Sequence, residues 1–338
     1  MIAPSRLRLD GDALVANWKL LDRMSGAAAC GAAVKADGYG LGARGVTERL
    51  AAAGCRDFFV ATWAEGLALA DLGVAISVLH GVRAEDPLGA PNLRPVLNTA
   101  EQVARWRPTG LPCDVMVDTG MNRLGVSAEE IGAGLLDGLR IETLLSHLAC
   151  ADEESPLNAR QLAGFAALKG RTSAKRMSLA NSAGIALGAD YAFDLTRPGI
   201  ALYGGVQGPG HAGIRQVVTP ESQVLQRRRV RAGDTVGYNA TFTAPMDMDV
   251  AILNIGYADG YLRCFSGKGL ARTGDAVLPV LGRVSMDLVA IGVDAAPGLG
   301  EGDWVALDYD LPATSKLSGL SQYELLTGLG ARFDRIWY

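Results

Sequence analysis

The feature that most constrains the fold of this chain is an alternation. Short apolar runs of strand length are each followed by a segment with helical spacing, repeatedly, through the first two-thirds of the sequence. Cys30 to Val34 is small and apolar, as a buried parallel strand would be. Cys55 to Val60, Ala75 to Leu79, Arg94 to Leu97, Asp114 to Val117, Ile141 to Leu145, Arg176 to Leu179 and Ala192 to Leu195 read the same way. Between them lie helix starts. Thr62 with Glu65, Thr99 with Gln102 and Ser127 with Glu130 are capping boxes, and Ser155-Pro156 places proline at a first helical position. Such alternation means a parallel sheet with helices outside it. About eight units favour a closed (β/α)8 barrel over an open doubly wound sheet, which more often has five or six strands. No GxGxxG follows the first strand, which weakens a dinucleotide-binding reading.

The chain has 338 residues, enough for two domains, with 49% hydrophobic and 20% charged residues. A net charge of -4 argues against nucleic acid as a partner. The N-terminus lacks the apolar core of a signal peptide, and no apolar run reaches membrane-spanning length, so a cytoplasmic protein with no membrane partner is expected. The five cysteines, Cys30, Cys55, Cys113, Cys150 and Cys264, are scattered and contain no Cys-x-x-Cys pair. They read as free thiols in a reducing compartment, with no metal site.

The unusual polar residues fall after strands. Lys35 follows the first, and glycines at 38, 40 and 42 break the chain before the next helical pattern. A lysine there is either a snorkelling surface residue or an amine held in a cleft, ready to form a Schiff base. Asp118 and Arg123 follow Val117, His147 follows Leu145, Asn181 and Ser182 follow Leu179, and Arg197 follows Leu195. In a barrel the carboxyl ends of the strands form one rim, so these residues would converge on one mouth. Singly each has a structural alternative: Asp118 as a turn cap, Ser182 as a helix cap, His147 as a core histidine. Gly199 and Ile200 can offer bare N–H groups where barrels often bind phosphate, with Ser182 adding a hydroxyl. A lysine opposite a phosphate site, with an arginine between, points to pyridoxal 5′-phosphate.

After Tyr203 glycines accumulate and the alternation stops. The expected division is a barrel over residues 1–217, with roughly the first ten free to pack elsewhere, and a mostly β domain over 218–338. Three stretches of that domain are too polar or glycine-rich for simple strands: Val236–Thr241, Gly256–Gly260 and Gly282–Asp287.

Nine blocks in one order, AVKADGYG, DTGMNRLG, SHLACADE, LANSAG, TRPGIALYG, VGYNATFTA, GYADG, GRVSMD and YELLTGLG, resemble alanine racemase across nearly the whole chain. The resemblance implies a fold-type III pyridoxal-phosphate enzyme that interconverts L- and D-alanine by a two-base mechanism, in a head-to-tail homodimer with shared active sites. It implies Lys35 as the Schiff-base lysine and one catalytic base, and Tyr238, from the partner subunit, as the other. Arg197 would face the pyridine nitrogen and His147 would link Arg197 to Tyr238. Tyr39, Asn181, Ser182, Gly199, Ile200 and Tyr323 would complete the cofactor site. Arg123 and Met286 would contact the substrate carboxylate and a cofactor oxygen, and Tyr257 and Asp287 would line the entrance.

One position departs from the pattern. Many members place a carbamylated lysine two residues before the Asp of DTGM, and here that position is Met116, which carries no carbamate. Three rivals remain on the residues alone: a racemase of broader range that takes serine, a non-catalytic pyridoxal-phosphate-binding barrel, and D-amino-acid aldolase or decarboxylase chemistry, which keeps the lysine but would want different entrance motifs. The VGYNATFTA block counts against the second.

Overall fold

The structure, a computed structural model, describes residues 3–338, which divide into two compact units. One comprises Ala13–Arg215; the other comprises the N-terminal residues to Asp12 together with Gln216–Tyr338.

The first unit is the parallel barrel. Strands Asp57–Val60, Ala75–Val78, Leu93–Leu97, Pro112–Met116, Arg140–Leu145 and Arg176–Ser178 pair in sequence order. The first strand is split by Gly31 into Ala29–Cys30 and Ala32–Ala33. Its second half pairs with Asp57–Val60 and its first half with Leu195–Thr196, so the sheet closes on itself. Gly31 is required at the split, because a Cβ there would lie 2.8 Å from the Asp57 carbonyl oxygen. The eighth strand joins the seventh through the Asp194 N–H to the Met177 oxygen and the Arg197 N–H to the Ala180 oxygen. The capping boxes expected at Thr62 and Ser127 are formed.

The eighth strand corrects the expectation drawn from sequence. Ala192 to Leu195 is not a strand: Ala189–Ala192 is a short helix, Phe193 takes φ 51°, and the strand begins at Leu195. The apolar run there belongs to a helix end whose phenyl ring meets Phe165 edge-on, at 5.1 Å between centroids.

An ionic network sits at the amino ends of the strands. Arg176 grips Asp57 with two bonds of 2.7 and 3.1 Å, and Ser77 Oγ donates to Asp114 Oδ2 at 2.6 Å beside Arg94. Burial raises the Asp114 pKa against the pull of Arg94. In a barrel this face supports stability, which leaves the opposite rim for chemistry.

The second unit is built on one long strand, Val218–Val230. Its first half pairs with Ser5–Leu9 and Trp304–Leu307, and its second half with Met248–Leu253. From there the ladder runs through Val289–Gly292, Ala276–Leu281 and Leu270–Thr273 back to Trp304–Leu307, closing a ring of strands. Ser5–Leu9 also pairs in parallel with Asp334–Trp337. Period-two burial drives this: Leu7 and Leu9 are fully buried while Arg6 and Arg8 face outward against Glu221. Helices Leu311–Ser318 and Gln322–Thr327 complete the unit.

Candidate active site

Immediately after the first barrel strand the backbone turns the wrong way for L-residues. Ala36, Asp37, Gly38, Tyr39 and Gly40 all have positive φ, from 52° to 85°. Left-handed conformation costs roughly 1–2 kcal/mol for each non-glycine residue. Ala36, Asp37 and Tyr39 therefore hold strain that other contacts must offset. Three do so: the Ala36 N–H donates to Glu65 Oε1 at 2.9 Å, Asp37 Oδ1 accepts the Ala43 N–H at 2.9 Å, and the Tyr39 ring stacks on Tyr203 at 4.6 Å. Lys35 enters this turn at the carboxyl end of its strand, half-buried. Removal from water and the nearby Arg123 lower its pKa, and Glu65 opposes them.

Arg197 is buried and forms no ion pair among the described residues. Its guanidinium donates to the Ser178 hydroxyl and, at 2.5 Å, to the Ser146 carbonyl. Burial lowers its pKa to about 10, so it stays charged at neutral pH. His147 follows Ser146. Removal from water, then the charges of Arg197, Arg123 and Lys35, hold its pKa down at about 3, leaving a neutral imidazole. Gln161, fully buried, ties this loop by donating to the His147 carbonyl at 2.8 Å and accepting the Ala149 N–H at 2.9 Å.

Asp118 is a turn cap: its Oδ1 accepts the N–H groups of Gly120, Met121 and Asn122 at 2.8 to 3.1 Å. The turn it builds carries Arg123, which is exposed and makes no hydrogen bond or ion pair among the described residues. Met116 is buried at the end of its strand.

Ser182 Oγ accepts the N–H of Gly199 at 2.9 Å and of Ala201 at 3.3 Å, with Ile200 buried between them. Asn181 caps the short helix Ser182–Ala186 by accepting the Gly184 N–H at 2.9 Å. A Cβ on Gly199 would lie 2.1 Å from Tyr39 Oη, so the left-handed turn and the loop after the eighth strand close on one point. Lys35, Tyr39, Arg123, His147, Asn181, Ser182, Arg197, Gly199 and Ile200 thus belong to one rim. A cavity of about 450 Å³ lined by Ala75, Asn92, Arg94 and Pro112 lies at the other ends of the strands, away from these groups.

The chemistry of the rim fits an anionic cofactor. Three cations share the field around a neutral imidazole, the buried one lacks a carboxylate, and two backbone N–H groups converge on a serine hydroxyl. A phosphate and a carboxylate would meet cations and donors there.

The second unit holds the other expected residues. Tyr238 stands 70% exposed on a turn in which Asn239 and Ala240 have positive φ. Val236, beside it, packs its carbonyl 2.6 Å from where a Cβ on Gly282 would be. Tyr257 and Met286 are brought together by the Tyr257 N–H to the Ser285 oxygen and the Ala258 N–H to the Met286 oxygen, both 3.0 Å. Asp287 is held by Arg332 at 2.7 Å, which also grips the buried Asp259. Tyr323 is exposed on the helix Gln322–Thr327. Arg332 and Ser178 escaped sequence reasoning because neither lies in a motif, and Asp259 and Ser146, though inside GYADG and SHLACADE, drew no role of their own. Glu65 was legible only as half of a capping box.

Residues 9–207 match the family model "Alanine racemase, N-terminal domain", and residues 217–337 match "Alanine racemase, C-terminal domain". The chain belongs to the alanine racemase family. An alanine racemase of Jannaschia sp. is 44% identical over 99% of both chains. Another, of Rhodospirillum rubrum, is 42% identical over 98% of this chain and 96% of the relative. The crystal structure of alanine racemase from Bartonella henselae with covalently bound pyridoxal phosphate aligns at a TM-score of 0.89, with 35% identity over 99% of each chain.

Proposed function

We propose that this chain interconverts L-alanine and D-alanine with pyridoxal 5′-phosphate, as an isomerase. The observation that carries the reading is the convergence of Lys35, Arg123, Arg197 and a neutral His147 on the carboxyl rim of the barrel, in a chain of this family. When bound, the cofactor withdraws electrons from the amino-acid α-carbon and makes its proton removable.

The chain's own residues do the rest. Lys35 would hold the cofactor and, as an amine, would move a proton at one face of the α-carbon. Its lowered pKa keeps more of the amine in the proton-accepting form near neutrality. Tyr238 serves the opposite face, as it would if contributed by a second subunit. Arg197 would face the pyridine nitrogen of the bound cofactor and, being a donor only, would leave it unprotonated, a setting suited to racemisation. His147, neutral, links Arg197 towards Tyr238. Tyr39, Ser182, Gly199, Ile200 and Tyr323 hold the phosphate, with Asn181 fixing the Ser182 helix. Arg123 takes the substrate carboxylate beside Met286, and Tyr257 and Asp287 line the way in.

A head-to-tail homodimer accounts for the exposure of Tyr238, Met286 and Tyr323, at 70%, 54% and 42%. A cytoplasmic location is supported by five unpaired thiols. No helix among the described residues is long and apolar enough to cross a membrane.

The test is racemisation measured on a panel of L-amino acids, with borohydride fixation of the cofactor. Alanine should be the preferred substrate and the fixed cofactor should map to Lys35. No turnover of alanine, or fixation at another lysine, would overturn the reading; a preference for serine would favour the broader-range racemase.

A further inference from the structure

Glu65 does more than a capping box asks. The box needs the Glu65 N–H on Thr62 Oγ1, at 3.2 Å, and the Thr62 N–H on Glu65 Oε2, at 3.3 Å. Oε2 also accepts the Ala61 N–H, at 2.7 Å. Oε1 turns the other way and accepts the N–H of Ala36, the residue directly after Lys35 and the first with positive φ. One carboxylate therefore joins the carboxyl ends of the first two barrel strands and holds the start of the strained turn. That bond matters more than an ordinary one, because the left-handed run cannot persist on local preference.

The charges around Lys35 point the same way. Arg123 acts on it from the turn after the fifth barrel strand, Pro112–Met116, and His147 from the loop after Leu145 is neutral. Asp37, on the lysine's own turn, is occupied with the Ala43 N–H. Glu65 is the acidic group that acts on Lys35.

We infer that Glu65 is a positioning residue for Lys35: it fixes the turn that aims the lysine and is the carboxylate counter-charge that faces it. The inference rests on the reading of Lys35 as the cofactor-bearing amine.

The test compares Glu65→Gln, Glu65→Asp and Thr62→Ala in the full chain freed of cofactor. Uptake of pyridoxal phosphate is followed by visible absorbance across pH, alongside the melting temperature. Uptake needs the neutral amine, so its rate rises through the pKa of Lys35. Loss of the carboxylate lowers that pKa, so in Glu65→Gln the midpoint should move down. Glu65→Asp keeps the charge but is too short to reach Ala36, and should slow uptake about tenfold without moving the midpoint. Thr62→Ala breaks the cap alone and should lower the melting temperature while leaving both uptake parameters in place. A wild-type midpoint in Glu65→Gln, or an equal shift in Thr62→Ala, would reduce Glu65 to a helix cap. Should Glu65→Gln fail to fold, wild-type uptake in Glu65→Asp would overturn the positioning role. A wild type that takes up no cofactor at Lys35 overturns the parent reading and the inference with it, and is told apart by the absence of any uptake signal.

Discussion

The guanidinium of Arg332 donates to both oxygens of Asp259, from Nε at 2.6 Å and from Nη2 at 2.8 Å, while its Nη1 reaches Asp287 Oδ1 at 2.7 Å. Asp259 is 2% exposed and also accepts the Gly256 N–H at 2.9 Å. This arginine therefore binds the turn carrying Tyr257 to the turn carrying Met286 and Asp287. Arg332→Ala leaves a buried carboxylate without its cation and should lower stability by about 1–3 kcal/mol. On the proposed placement of Tyr257 and Asp287 at the entrance, KM for alanine should rise more than kcat falls. Arg332→Lys keeps the charge but cannot bond three oxygens in one plane, and should recover only part of either loss. Urea melts and steady-state kinetics read both effects; an unchanged KM in Arg332→Ala would mean that the entrance does not depend on this tie.

His147 makes the fold sensitive to acid. An unfolded histidine takes a proton near pH 6.5, whereas His147 in the fold does so only at about 3. Between those values the unfolded chain holds more protons, so stability is full above about pH 6.5 and declines as pH falls towards 3. His147→Asn should flatten this part of the profile, seen as a smaller drop in the denaturation midpoint between pH 7 and 4. An equal drop in the variant and the wild type would place the acid sensitivity elsewhere.

Gly199 offers a steric test of the proposed phosphate cradle. Its φ of −126° suits any residue, but an added methyl would sit 2.1 Å from Tyr39 Oη and 2.9 Å from Cζ. The Tyr39 ring is backed by Tyr203 at 4.6 Å and has little room to retreat. Gly199→Ala should cost about 1–3 kcal/mol of local strain and weaken cofactor binding by tenfold or more. A cofactor Kd equal to that of the wild type, by absorbance titration, would show that this loop and Tyr39 do not form the cradle.

The proposed sharing of the site between two chains predicts complementation. Lys35→Ala and Tyr238→Phe homodimers should each be severely impaired. In a mixed dimer one site collects both defects and the other is whole, so verified heterodimers should recover up to about half of the normal activity. No recovery would place both bases in one chain.

The barrel was legible because most strands are buried apolar runs and several helix starts carry their own cap, as at Thr62 and Ser127. The rim residues were legible because barrel chemistry gathers at strand ends, so Lys35, His147 and Arg197 stood out by position. The eighth strand was misplaced because a short apolar run does not distinguish a strand from a helix end, and Phe193 gives no warning of its positive φ. The left-handed turn left no local trace beyond its glycines; what holds Ala36 is a glutamate 29 positions away. Arg332 was invisible for the same reason, with partners 73 and 45 positions away. Long-range ties carry no period.

The pairing of Ser5–Leu9 with Val218–Val230 and Asp334–Trp337 sets a timetable for synthesis. At roughly 5–20 residues per second, the first strand emerges tens of seconds before its last partner. For most of that interval the barrel segment is being made, and Leu7 and Leu9 have no sheet to enter until Val218–Val230 follows it. The edge that pairs with Asp334–Trp337 stays open until the final residues appear and must be kept from pairing with other nascent chains until then. A circular permutant that moves residues 1–12 to follow Tyr338 would make the second unit from one continuous stretch, and would remove that wait.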